Sequence, residues 1–269
     1  MKINEFLGKY VDAAPCFVVI QGKRYYFKFV EDEGHELVGD SLANICGINC
    51  AKDSIVLVKG DYYYLSYDLN NDGEYTDAAK LGFTSLSMYN IWNTLEEKYP
   101  KYPKKLMEEL VKIYVFDALL LYGDRHLNNF GILDDNGTLS FYILDNEMIF
   151  SVTDDIRLKP IFSNGDKLKK YIDFNLDSET VPYNLGENLK SFEYFIATLG
   201  EEFYKVVLDI YYKLTPDVVE KSLLKVHDDY DDILEMDTIE EDMYLYNVNY
   251  DCVTKILVER GLINGQRIY

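Results

Sequence analysis

Between residues 123 and 146 the sequence reads GDRHLNNFGILDDNGTLSFYILDN, with polar residues of catalytic type breaking up apolar runs. Three of them carry the chemistry: Asp124, Asn129 and Asp145. The runs 130–133 and 139–144 are strand-like, and Asn136-Gly137 between them is a strong signal for a two-residue hairpin turn. With those two residues in the turn, Asp135 faces Thr138 and paired positions sum to 273, which sets Asn128 or Asn129 opposite Asp145 or Leu144. The open end of the hairpin therefore brings Asn129 and Asp145 together. An amide oxygen beside a carboxylate is a hard, all-oxygen pair suited to magnesium. That ion takes few protein ligands and completes its shell with water and substrate phosphates, so the pair implies a nucleotide. Asp124, on the preceding loop, is left to orient or deprotonate an acceptor hydroxyl, and the chemistry so assembled is phosphoryl transfer. Each residue also has an ordinary role: Asp124 capping a turn, Asn129 starting a strand, Asp145 at the surface. Their convergence is what marks a site.

The elements around this segment must hold it in place. Residues 16–30, CFVVIQGKRYYFKFV, predict an antiparallel hairpin about a Gln-Gly-Lys-Arg turn, with Lys28 inside the second strand. From Glu36 to Ile45 the apolar Leu37, Val38, Leu42 and Ile45 recur at helical spacing, and Gly47 is a natural stop. Residues 54–58 and 62–69 read as strands joined by Lys-Gly-Asp. The polar, turn-rich NNDGEYTDAAKLG then marks a lobe boundary after Asn70. Beyond it, 104–122 is a strong helix with Pro103 at its start and Gly123 past its end, and 187–199, 201–213, 215–227 and 237–260 are also helical. The expected architecture is α+β and two-lobed: residues 1–70 an N-lobe of antiparallel sheet with one helix, and residues 71–269 a larger, mostly helical C-lobe carrying the catalytic loop and hairpin 124–146.

The strings GDRHLNNFGIL and FYILDNE resemble the catalytic and metal-binding segments of HipA-like serine/threonine kinases, and Asp-Arg-His-x-x-Asn is also similar to phosphoinositide-type kinases. The resemblance implies a protein-kinase-like fold, with Asp124 as catalytic aspartate, Asn129 as catalytic-loop asparagine and metal ligand, and Asp145 as the metal aspartate, here followed by Asn146-Glu147 instead of Phe-Gly. It further implies that Lys28 binds the α and β phosphates of ATP and pairs with Glu36 at the start of ELVGDSLANICGI. LSYDL is then similar to the hinge, where Leu65 and Tyr67 meet adenine and Asp68 the ribose. ATP and Mg2+ are the implied cofactors. Lys28 read alone also has a lesser reading as an edge-strand charge, and Glu36 one as a favourable residue at a helix amino terminus. No Gly-x-Gly-x-x-Gly or Walker-type loop is present, so phosphate cradling falls to 11–17 or the 21–23 turn. Family members often carry a lysine where this chain has Asn128, and Arg125 is a candidate to replace that charge. His126 is expected to pack beneath the loop.

Composition bounds the partners. The chain has 269 residues, 48% of them hydrophobic and 15% aromatic, which is the make-up of a globular protein. Its 27 basic residues against 47 acidic ones give a net charge of -20, which argues against direct nucleic-acid binding and for a basic protein partner. The longest apolar run, 113–123, is too short for a membrane span and contains Asp117, and the amino terminus lacks the pattern of a secretion signal, so a cytoplasmic location is expected. Cys16, Cys46, Cys50 and Cys252 read as free thiols, and the acidic stretch 227–242 as a solvated face rather than a calcium loop. The leading expectation is a Mg-assisted, ATP-dependent kinase acting on a protein serine or threonine, with an antitoxin-like or regulatory protein as a possible partner. A lipid or small-molecule kinase and a nucleotide-binding pseudokinase are the alternatives.

Overall fold

In a computed structural model, which describes residues 3–30, 34–83, 88–123, 125–150, 185–230 and 233–264, the amino-terminal part is built on a short helix and a four-stranded antiparallel sheet. The helix is α1 (Ile3–Leu7), and the strands are β1 (Cys16–Ile20), β2 (Lys23–Phe29), β4 (Ile55–Val58) and β5 (Asp61–Tyr67), in the order β1-β2-β5-β4. Two-residue turns set the registers. Gln21-Gly22 and Lys59-Gly60 both have positive φ throughout (52° and 80°, 56° and 102°), the twist that closes tight hairpins. The alternation of the strands sends Val18, Phe27, Val58, Tyr63 and Leu65 to one face with Leu7, where Phe27 and Tyr63 stack at 4.7 Å. Lys28, one residue from Phe27, therefore leaves the sheet on the other side.

Helix α2 (His35–Cys46) follows, ended by Gly47 in the left-handed conformation (φ 67°) as its glycine suggested. Although it precedes residue 70, it buries Val38, Leu42, Ala43 and Cys46 in the larger carboxy-terminal core. That core surrounds α4 (Pro103–Leu120), whose Leu106, Leu110, Phe116 and Leu120 are buried. Helix α4 stops at a left-handed Leu121 (φ 54°), two residues before the glycine expected to end it. Asn249 donates to the carbonyls of Ala118 and Leu119 (2.9 and 2.8 Å), so a side chain from the far end of the sequence completes this terminus. The remaining helices are α3 (Met88–Lys98), α5 (Leu185–Thr198), α6 (Tyr204–Lys213), α7 (Pro216–Asp229) and α8 (Met236–Glu259). No helix among the described residues is long and apolar enough to cross a membrane.

A second sheet, β3-β8-β7-β6, joins β3 (Asn49–Cys50) and β6 (Glu74–Asp77) to the hairpin of β7 (Phe130–Asp135) and β8 (Thr138–Ile143) and packs into the carboxy-terminal core. The hairpin turns at Asn136-Gly137 (φ 51° and 88°), and every pair from Phe130↔Ile143 to Asp135↔Thr138 follows the register expected from that turn. The turn-rich stretch after Asn70 holds β6, whose alternation is too short to stand out from its polar neighbours.

The acidic stretch is exposed at Asp228, Asp229, Glu235, Asp237, Glu240 and Glu241 and departs from the expected solvated face at one described acidic residue. Asp242 is fully buried rather than solvated, and its Oδ2 lies 2.9 Å from His35 Nε2, tying α8 to the start of α2. All four cysteines are free, with Cys46 and Cys50 buried.

Candidate active site

Lys28 projects from β2 over the Tyr64 ring, with Nζ 5.4 Å from its centroid, and meets three carboxylates. Its ammonium donates to Asp145 Oδ1 at 3.0 Å and to Glu147 Oε2 at 2.8 Å, with Glu36 Oε2 at 3.5 Å. Burial works against the lysine charge, but Glu36, Asp145 and Glu147 together outweigh it and hold the group above its ordinary range. Glu36 sits in the first turn of α2.

The hairpin end supplies the other half. Leu144 N donates to Asn129 O at 2.8 Å, so Asn129 is opposite Leu144 and Asp145 lies one residue beyond. Asp145 takes the left-handed conformation (φ 57°), which few residues other than glycine tolerate, and the Tyr122 hydroxyl donates to its carbonyl. Arg125 is buried beneath. Its guanidinium makes five hydrogen bonds, one for each N–H: two to Asp117 (3.0 and 3.1 Å), two to the carbonyls of Asn129 and Leu144 (3.1 and 2.8 Å) and one to Asn146 Oδ1 (2.9 Å). It thus has no donor left for a phosphate and does not replace the charge absent at Asn128. Its work is to join α4 to both strands of the hairpin. His126 is exposed rather than packed beneath the loop, and its Nδ1 accepts from Asn128 N at 3.2 Å.

Asn146 links the two halves. Its N–H donates to Glu36 Oε1 (2.8 Å), its Nδ2 to Asp40 Oδ1 (2.9 Å), and its Oδ1 accepts from Arg125. Gly39 makes the approach possible, because a Cβ there would stand 2.5 Å from Asn146 Cβ. Glu36, Asp40 and Asp53 can bring carboxylate oxygens within 4.8 Å of one another. Burial, then the Asp53 charge, pushes Asp40 up to about 8 and raises Glu36 well above the carboxylate range, while Lys28 pulls Glu36 back. Burial raises Asp53 as well.

Lys28, Glu36, Tyr67, Asp68, Asn129 and Asp145 line one cleft of about 350 Å³, together with Phe17, Arg24, Asp53 and Tyr75. Leu65 does not line it. It is 5% exposed in the core beneath the first sheet, while its neighbours Ser66 and Leu69 face the cleft. Asp68 accepts from Arg24 Nε and from Asn70 N (2.9 Å), capping the turn at Leu69–Asn71. Asp124 lies outside the described residues, between the pinned Gly123, which donates to Met148 O at 3.1 Å, and Arg125. Sequence reasoning missed Tyr122, Asp117, Asn146, Glu147, Asp40 and Asp53. For Asn146 a signal existed in Gly39, a glycine inside a helical pattern, which often marks a close approach. For Tyr122 there was none, since it ends an apolar run like any other core residue.

The donors fit magnesium. Asn129 and Asp145 offer hard oxygen atoms at the hairpin end. Asp145 has one oxygen on Lys28 and a side chain 38% exposed, and carboxylate oxygens of Glu36, Asp145 and Glu147 can come within 4.8 Å of one another. Among the described residues the cleft is lined by five carboxylates, Glu36, Asp53, Asp68, Asp77 and Asp145, against Lys28 and Arg24, so a nucleotide's phosphates would need a divalent ion to neutralise them.

An antiparallel sheet set over a helical body, with a strand lysine meeting a helix glutamate above a hairpin that ends in Asn129 and Asp145, is a kinase-like fold. Solved structures that share it include two kinase-fold proteins. The Helicobacter pylori proinflammatory kinase CtkA is 16% identical with a TM-score of 0.63, over 91% of this chain and 94% of that one. HipA of Shewanella oneidensis, solved as a toxin–antitoxin complex with HipB and operator DNA, is 13% identical with a TM-score of 0.56, over 87% of this chain and 58% of that one. No protein-family model matches the sequence, and no curated protein matches it at a significant level. At such identities the likeness establishes the fold.

Proposed function

We propose that the protein is an ATP-dependent phosphotransferase of the HipA-like serine/threonine kinase type. The observation that carries this reading is the Lys28 ammonium held between Glu36 and Asp145 at the wall of a cleft that also takes in Asn129. In it, Lys28 binds the α and β phosphates, Tyr67 and the neighbouring backbone bind the base, and Asn129 and Asp145 hold Mg2+. The ion supplies charge neutralisation for the phosphates when bound. Asp124 accepts the proton of the acceptor hydroxyl as its oxygen forms the new bond to the γ phosphorus and the bridging bond to ADP breaks. The acidic surface favours a basic protein substrate. The presence of HipB in the Shewanella structure supports a regulatory protein as partner, while the charge of -20 opposes extending its DNA contact to this chain.

The test is transfer of the γ-phosphate from labelled ATP with Mg2+ to candidate proteins and lipids, beside Asp124→Ala and Asp145→Ala. Transfer to a protein that needs both carboxylates is expected. Transfer only to a lipid or small molecule would redirect the substrate class, and nucleotide-induced thermal stabilisation with no transfer would make the protein a binding module.

A further inference from the structure

Tyr122 stands one residue past the left-handed cap of α4 and is held on every side. Its N–H donates to Asp117 O at 3.0 Å, the next residue's N–H to Met148 O at 3.1 Å, and the Arg125 guanidinium lies over its ring, Cζ 4.0 Å from the centroid. Only 9% exposed, the ring fixes one hydroxyl at the mouth of the hairpin. That hydroxyl donates to the carbonyl of Asp145 and accepts from Nδ2 of Asn129 at 3.4 Å. One atom therefore touches both residues assigned to the cation.

Two consequences follow from the chemistry of the partners. An amide ligates a cation through its oxygen, and the bond from Nδ2 to Tyr122 fixes which way the Asn129 amide is turned. Asp145 has positive φ, and the bond to its carbonyl opposes the peptide rotation that would relieve this conformation and carry the carboxylate away from Lys28.

We propose that Tyr122 is the positioning residue of the metal site, its hydroxyl coupling the Asn129 amide to the Asp145 backbone so that both offer oxygen to one divalent ion. The proposal deepens the phosphotransferase reading and rests on it. Tyr122→Phe keeps the ring, its packing and the Arg125 stack and removes only the hydroxyl. The experiment measures the Mg2+ dependence of ADP binding by calorimetry, Mn2+ binding by electron paramagnetic resonance, and the melting temperature of the metal-free protein. The expected result is a rise of about tenfold in the metal concentration for half-saturation, the size typical of losing an outer partner of a metal ligand. ADP binding at saturating metal should recover. A lowered melting temperature with an unmoved metal titration would show a structural hydroxyl only and overturn the proposal. Wild-type protein that binds neither Mn2+ nor Mg2+-ADP would bring down the phosphotransferase reading and this inference with it, an outcome recognisable without the variant.

Discussion

Replacing Gly39 by alanine sets two effects of opposite sign against each other. In an isolated helix the change is favourable by about 0.5–1 kcal/mol, because glycine loses more backbone freedom on folding. In this fold the new Cβ would lie 2.5 Å from Asn146 Cβ and 3.1 Å from Asn146 O. Neither atom can swing aside as the end of a long side chain would. Helix α2 must move by about 1 Å to restore ordinary contact, and overpacking of this kind costs roughly 1–3 kcal/mol. The same movement stretches the bonds from Asn146 to Glu36 and Asp40, now 2.8 and 2.9 Å, each worth about 0.5–1.5 kcal/mol. The net expectation is a loss of about 2–4 kcal/mol, or roughly 5–15 °C in Tm for a chain of this size. Thermal denaturation followed by circular dichroism reads it directly. An unchanged or higher Tm would mean that α2 does not press on Asn146 as described, and the account of how the two halves are joined would fail.

Three further predictions follow from the same contacts. Arg125→Met leaves Asp117 buried without its partner and should cost about 3–5 kcal/mol in urea denaturation, part of which Asp117→Leu in the same chain restores; a loss under about 1 kcal/mol would refute the network. Because burial raises Asp40 to about 8, its proton stabilises the fold fully below the ordinary carboxylate range, and that contribution is lost as pH rises towards 8. Stability should accordingly fall between pH 5 and 8 by up to about 1.4 kcal/mol per unit, with a flatter profile in Asp40→Asn; parallel profiles would contradict this. Glu147 is the nearest of the three carboxylates on Lys28 and is 31% exposed where Glu36 is 1%, so it is the one a triphosphate would displace. Glu147→Gln should tighten Mg2+-ADP binding by about fivefold, equivalent to roughly 1 kcal/mol, and weaker binding would identify Glu147 as a metal ligand instead.

The sequence alone determined what depends on neighbours along the chain. Asn136-Gly137 specified a turn, the turn specified a register, and the register placed Asn129 opposite Leu144 with Asp145 next in line. Hydrophobic spacing and Gly47 likewise bounded α2, and the run 16–30 specified a hairpin with Lys28 inside its second strand. Tertiary structure alone decided what depends on residues far apart meeting. Asn146 against Gly39, Arg125 enclosed by α4 and the hairpin, Asp242 beneath His35 and Tyr122 between Asn129 and Asp145 are contacts across 7 to 207 positions. The physical reason is that local propensity and pairing act over a few residues, whereas burial is a property of the closed fold. It is burial that turned a phosphate candidate into the structural Arg125, and that raises Glu36, Asp40 and Asp53 together above the ordinary carboxylate range.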